Sequence, residues 1–193
     1  MAFKYEGFPA GADTTKVQGA AAQLLVVTKR AKDKLGKVPN AVAETALYTR
    51  WFGAVDGARL KTVQRIVSDI DDAAKSTQRT ITFVDARQTT SIGRTEPGTR
   101  AYVHCGGTGW KGHVGGGIRV LITQRFFTPD ANPDKVTERT VCVMFHELSH
   151  KLGGTVDYVY GRDDALELAR NSPANAHKCA ENYGLFALEV LKP

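Results

Sequence analysis

His146-Glu147-Leu148-Ser149-His150 sets two imidazoles four residues apart, with a carboxylate directly after the first. On a helix, positions i and i+4 project from one face, so both rings can reach a single zinc ion. Glu147 is then placed to approach an attacking water without being a ligand. Together they form a residue set for metal-assisted hydrolysis: fixed nitrogen ligands, a group to take a proton, and a position left open for water. The competing reading of the same letters is a pair of structural histidines. A catalytic zinc keeps three protein ligands, so the third has to come from beyond the helix, after a turn. Gly153-Gly154 permits that turn, and Asp157 is the only carboxylate in the dozen residues after His150. Asp157 is therefore the local candidate for the third ligand, beside its reading as an ordinary loop aspartate. Cys142, one turn before His146, is read as a buried thiol or a further contact to the metal. His104 and His113 are read as structural residues or spare ligands, and His177 as a surface or packing histidine.

These residues need a rigid element behind them. The spacing predicts a helix over 133–152 with Val141, Phe145, Leu148 and Leu152 on its apolar side, stopped by the two glycines. Upstream, an Ala-rich helix is expected over 16–35. A second helical stretch over 41–76 is broken near Gly53 and Gly57, and its latter half carries Leu60, Val63, Ile66, Val67 and Ile70 at helical spacing. The period then changes to that of strands at 80–85, 101–104 and 118–123. Between the last two lies a glycine-rich loop with a formal GxGxxG at Gly107, Gly109 and Gly112. A strand follows it instead of a helix, so it is a loop and no nucleotide site. Helices over 163–170 and 173–191 close the chain. Residues 1–15, rich in Gly, Pro and Asp, read as an irregular arm, and 16–193 as a single domain.

The 193 residues are 42% hydrophobic and 24% charged. That composition excludes collagenous, disordered and disulfide-scaffold classes. No apolar run has the length of a membrane span, and no signal peptide is visible. A formal net charge of +6 would favour anionic partners, but the basic residues are scattered. Lys29, Arg30, Lys32, Lys34 and Lys37 recur at helical intervals as a solvated helix face does. No nucleic-acid partner and no stable membrane insertion are expected. Cys105, Cys142 and Cys179 lack CxxC spacing and do not fix a redox compartment.

The HExxH is followed closely by Gly154-Thr155-Val-Asp157-Tyr-Val-Tyr160-Gly161, which matches every fixed letter of GTxDxxYG. The two motifs in register resemble the aspzincins, the family of deuterolysin and the fungal peptidyl-lysine metalloendopeptidases. Tyr48-Thr-Arg-Trp-Phe-Gly53 and Ala180-Glu-Asn-Tyr-Gly-Leu-Phe186 are similar to other segments of that family, so the likeness runs from about Tyr48 to Glu189. It implies an α+β, zincin-like fold, mainly helical, with a small antiparallel-containing sheet and the HExxH on its active-site helix. It implies one zinc per chain on His146, His150 and Asp157, with Glu147 as general base and Tyr160 as transition-state hydrogen-bond donor. Glu181 falls at the acid of the S1′ pocket. Gly184 stands where lysine-specific members carry a second acid, which implies looser discrimination and room for a guanidinium at the pocket floor. By fold analogy the strand over 118–123 is expected to pair with extended substrate.

The expected activity is zinc-dependent hydrolysis of internal peptide bonds, with preference for Lys or Arg after the cut. Expected partners are protein or peptide substrates, on a monomer that is secreted or delivered outside the producing cell. A toxin-like effector with an inhibitor or immunity protein, and a catalytically silent binding module, are the alternatives.

Overall fold

In the computed structural model, residues 3–77, 80–88, 100–103, 118–127 and 136–192 are described. The glycine-rich loop, with His104, Cys105, Trp110 and His113, lies outside them. Helix α1 (Ala12–Leu35) buries Val17, Ala20, Ala21, Leu24, Val27, Ala31 and Leu35, a stripe repeating every three or four residues. Its small residues let it lie close to α3 (Gly57–Lys75), whose buried side carries the expected Leu60, Val63, Ile66, Val67 and Ile70. Asp56 caps α3, its carboxylate accepting from the Ala58 and Arg59 amides at 3.1 and 2.9 Å. Inside the α1–α3 contact, Thr28 donates to buried Asp71 at 2.9 Å and Lys75 reaches its other oxygen at 2.7 Å. Every charge there has a partner, as burial demands.

Between them, α2 (Val42–Phe52) supplies the aromatic part of the core. Tyr48, Trp51 and Phe52 are fully buried. The Phe52 ring lies 5.0 Å from Tyr183 and 5.5 Å from Phe186, both on α8 (Ala180–Leu191). Trp51 donates its indole N–H to Glu189 at 3.0 Å, and the same carboxylate pairs with Arg50 and Arg162. Three helices are thus tied at one end of the molecule.

The four strands are β1 (Phe3–Glu6), β2 (Ile81–Asp85), β3 (Ala101–Val103) and β4 (Ile118–Ile122), arranged β1-β2-β4-β3. β1, β2 and β4 run parallel, and β3 is antiparallel to β4. Here two expectations are corrected. The first residues are not an irregular arm: Phe3 and Tyr5 face Phe83 with ring centroids at 5.8 and 5.9 Å, while Lys4 and Glu6 point outward. That alternation is enough to add a strand to β2. Nor is β4 an edge for substrate, because it is hydrogen-bonded to β2 on one side and β3 on the other. Among the described residues the outer positions belong to β1 and β3, and β3 is the one beside the helix that carries His146.

Helix α5 (Val136–Gly153) runs between the layers, packed by α1, α3 and α8 from the helices and by β3 and β4 from the sheet. A short α4 (Gln124–Phe127), not foreseen, follows β4 and buries Phe126 and Phe127. After α6 (Arg162–Asn171) the expected closing helix is split into α7 (Pro173–Ala176) and α8. The break has a use. Val156 donates to the Lys178 carbonyl at 2.8 Å and accepts from the Ala180 amide at 3.0 Å, a bridge that an unbroken helix would have no free backbone groups to make. Among the described residues no helix is long and apolar enough to cross a membrane.

Candidate metal centre

Helix α5 positions the two histidines. Val141, Phe145 and Leu148 are fully buried, so the helix cannot rotate without exposing them. On the side facing β3 and α8, His146, Glu147 and His150 are only 7–8% exposed. The chain leaves the helix through Gly154, at φ 67, a conformation that disfavours any Cβ. Its amide still returns to the His150 carbonyl at 3.1 Å. Two residues on, the bridge between Val156 and 178–180 fixes the backbone and presents Asp157 to the histidines.

Three acceptor atoms then converge. His146 Nε2 and His150 Nε2 are 3.1 Å apart, and Asp157 Oδ1 lies 3.1 Å from the first and 3.2 Å from the second. The far side of each imidazole decides what these nitrogens carry. His150 Nδ1 lies 2.7 Å from the Thr155 carbonyl, and His146 Nδ1 lies 3.3 Å from Glu181 Oε2. Both partners only accept, so each ring holds a proton on Nδ1 and can turn a lone pair on Nε2 inward. Two lone pairs and a carboxylate facing one another repel unless a positive charge sits among them. Tetrahedral zinc, with bonds of about 2.0–2.2 Å, needs ligand atoms about 3.3–3.5 Å apart. The observed triangle is this shape, slightly contracted, so the donor set fits the ion.

The surrounding electrostatics follow from the same contacts. Burial works against a charged His146, but with no cation at the centre the bonds to Asp157 and Glu181 outweigh it and draw a second proton onto Nε2, raising the group to about 10; a metal ion would take that proton's place. Burial likewise works against the Asp157 carboxylate, yet the bonds from His146 and His150 hold it well below the usual carboxylate range. Glu147 goes the other way. Its burial lifts the carboxyl to about 7 against the pull of His146 and His150, and the Val103 backbone N–H donates to it. β3 thereby holds the carboxylate beside the histidines. The Tyr160 ring stacks on His146 with centroids 6.3 Å apart. Loss of water around the hydroxyl, then its hydrogen bond to Asp157, pushes that phenol up.

All five residues expected at the centre are therefore together: His146, Glu147, His150, Asp157 and Tyr160. Glu181 is there too, but its oxygens meet His146 Nδ1 and the Gly161 amide, the latter at 3.0 Å. Gly184 does not open a pocket. A Cβ built there would lie 2.9 Å from the Cys142 carbonyl oxygen, 3.0 Å from its sulfur and 3.3 Å from His146 Cβ, because α8 crosses α5 at this point. The expected room for a guanidinium is filled by α5. Cys142 accordingly packs against α8, and His177 is a packing residue, its Nδ1 3.0 Å from the Pro173 carbonyl.

Two residues had no role assigned from the sequence. Ser149 donates to the His146 carbonyl at 2.7 Å and lies 2.8 Å from the Thr155 hydroxyl, so the helix's last turn and the loop share a buried polar contact. A hydroxyl on each side of a double glycine is the signal that marks such a latch. The third omission, the Val103 amide, is a backbone group that side-chain spacing does not reveal.

A pair of helix-borne histidines, a returning aspartate and a buried glutamate under the edge of a small mixed sheet define a zinc-dependent peptidase. Comparison with known proteins agrees. Residues 38–188 match the model of the aspzincin family, described as lysine-specific metallo-endopeptidase, and the chain belongs to that family. It is 27% identical over 176 residues to the peptidyl-Lys metalloendopeptidase of Pleurotus ostreatus, covering 90% of this chain and 89% of the relative. The enzyme of the same name from Armillaria mellea is 27% identical over 185 residues, but this chain spans only 45% of it. In structure it superposes on a zinc peptidase from Grifola frondosa with a TM-score of 0.66 at 23% identity, covering 94% of this chain and 97% of the other. The protein is a zinc metalloendopeptidase whose fold is that of its family.

Proposed function

We propose that the chain cuts proteins at internal peptide bonds, with His146, His150 and Asp157 holding the zinc, and prefers a basic residue, Lys before Arg, after the cut. The observation that carries the reading is the convergence of three acceptors at 3.1–3.2 Å with the Glu147 carboxylate beside them. Zinc, when bound, supplies a Lewis acid that polarises a carbonyl and lowers the pKa of a water toward about 7. The chain supplies the rest. Glu147, raised to about 7 by burial, is matched to taking a proton from the attacking water and returning it to the departing amine. Tyr160 donates its hydroxyl proton to negative charge that develops on the carbonyl oxygen, exchanging its bond to Asp157 for that one. β3, at an outer position of the sheet and bonded to Glu147 through Val103, is the strand beside which extended substrate lies.

The preference for lysine is supported by the names of the relatives and by the acid, Glu181, that stands at the matching position. Action outside the producing cell belongs to the same reading, since a peptidase with so loose a requirement would otherwise meet the cell's own proteins. No observation favours a toxin-like effector or a silent binding module.

Metal analysis of the purified protein is expected to give one zinc per chain, with hydrolysis lost to a chelator and restored by zinc. Asp157→Ala should weaken zinc retention, while Asp163→Ala and Asp164→Ala leave it unchanged; equal effects remove Asp157 from the ligand set. In a brief digest of a denatured protein, read by mass spectrometry, cuts should fall mainly on the amino side of Lys. Cuts scattered without regard to Lys or Arg end that part of the reading.

A further inference from the structure

Glu181 stands in the first turn of α8 and gives its two oxygens to two different elements. Oε2 lies 3.3 Å from His146 Nδ1 on α5, and its side chain is only 17% exposed. Oε1 accepts from the Gly161 amide at 3.0 Å, in the turn directly after Tyr160. Because a carboxylate only accepts, the first contact keeps a proton on Nδ1 and aims the Nε2 lone pair of His146 at His150 and Asp157. The second holds the peptide that joins Tyr160 to α6.

We propose that Glu181 is a positioning residue of the hydrolytic centre, one carboxylate that sets the tautomer and angle of His146 and, through Gly161, the seat of Tyr160. The inference rests on His146 being a zinc ligand. A second observation fits it independently. One turn along α8, Gly184 lets the two helices meet at Cys142 and His146 Cβ, so α8 is seated directly against the ligand-bearing turn. That close crossing fixes how far Glu181 stands from His146. A carboxylate whose purpose was only to receive a substrate's ammonium group would need neither contact. Here both oxygens are already engaged by protein donors, so any cationic side chain of the substrate shares a group the metal site depends on.

The experiment compares wild type, Glu181→Gln and Glu181→Asp. Gln keeps the size, but its amide can offer oxygen to only one of the two donors and turns an N–H toward the other. Asp keeps the charge but is one methylene too short to reach both. Zinc affinity is measured by chelator competition on the refilled protein, the ligand field by the absorption of the cobalt-substituted protein, and kcat and KM at saturating zinc on two peptides. One peptide carries Lys after the scissile bond and the other Leu. The expected result for Gln is a loss of zinc affinity of about 10–100-fold, the usual scale for removing a group that orients a ligand. A shifted cobalt spectrum should accompany it, with a fall in kcat of similar size on both peptides. Asp should move in the same direction.

Gln with unchanged zinc affinity and a loss confined to KM for the Lys peptide would overturn the inference, and so would full recovery by Asp. Wild-type protein that binds no zinc fails the reading of the site itself. Wild type that binds zinc, with both variants indistinguishable from it, fails this inference alone.

Discussion

Glu147 has to be anionic to accept a proton, yet it is buried beside a second carboxylate, that of Asp157. Burial outweighs the pull of the two histidines and the Val103 amide, which leaves the group at about 7. Glu147→Gln keeps volume and polarity and removes the base. Zinc content and thermal midpoint should match wild type, while kcat falls by at least about a hundredfold, the scale of a lost general base. Near-wild-type turnover in that variant would take Glu147 out of the chemistry. At this scale the sequence was most legible, because i and i+4 on a helix and a turn a few residues later are short-range facts. It did not foresee the crowding at Gly184 or the two protein partners of Glu181, for one reason. Matching a position to a family names a residue's place in the chain but not its neighbours, which for both lie on α5 and for Glu181 also in the turn at Gly161.

The contact between α5 and α8 makes a test at the level of elements. Gly184→Ala puts a Cβ 2.9 Å from a backbone oxygen, which cannot swing aside as a side chain would, so the helices must part. Overpacking of this kind costs about 1–3 kcal/mol. Denaturant unfolding of the zinc-free protein should show that loss, and zinc should bind more weakly because α8 carries Glu181. A variant as stable as wild type would mean that the crossing is slack. Helices were read well where one face repeats an apolar stripe, as in α1 and α3. The split between α7 and α8 was missed because its cause, the Val156 bridge, lies in a segment remote in sequence. β1 was missed although Phe-Lys-Tyr-Glu alternates correctly, because the glycines and prolines just after it suggest an arm. The interior position of β4 depends on strand order, which no local pattern carries.

For the whole molecule, the sheet and the helical layer are joined at one end by Arg87. Its guanidinium makes two bonds to Asp85 at the end of β2, at 2.8 and 2.6 Å, and one to Asp13 at the start of α1, at 2.6 Å. It also covers the Phe127 ring at 4.5 Å. The bond from Arg87 holds the Asp85 carboxyl below its ordinary range in spite of burial. A carboxyl depressed in the folded state contributes stability above its unfolded value, about pH 4, and loses it as pH falls through the folded value. Asp85→Asn should therefore cost about 1.5–3 kcal/mol at pH 7, the scale of a hydrogen bond to a charged group. The gap from wild type should narrow as the pH is taken down toward 3. Urea unfolding at both pH values, with chelator present throughout so that zinc loss does not intervene, gives the comparison. A gap that is the same at both would show that folding does not lower the Asp85 carboxyl.

The bridge from Val156 to residues 178–180 also orders events during synthesis. A growing chain carries both histidines and Asp157 well before it carries the strand of backbone that aligns the aspartate or the glutamate that turns His146. Translation proceeds at about 5–20 residues per second, so the parts of the centre exist for a time without being held in place. The centre is complete only when α8 has folded back against α5 and the turn at Gly161.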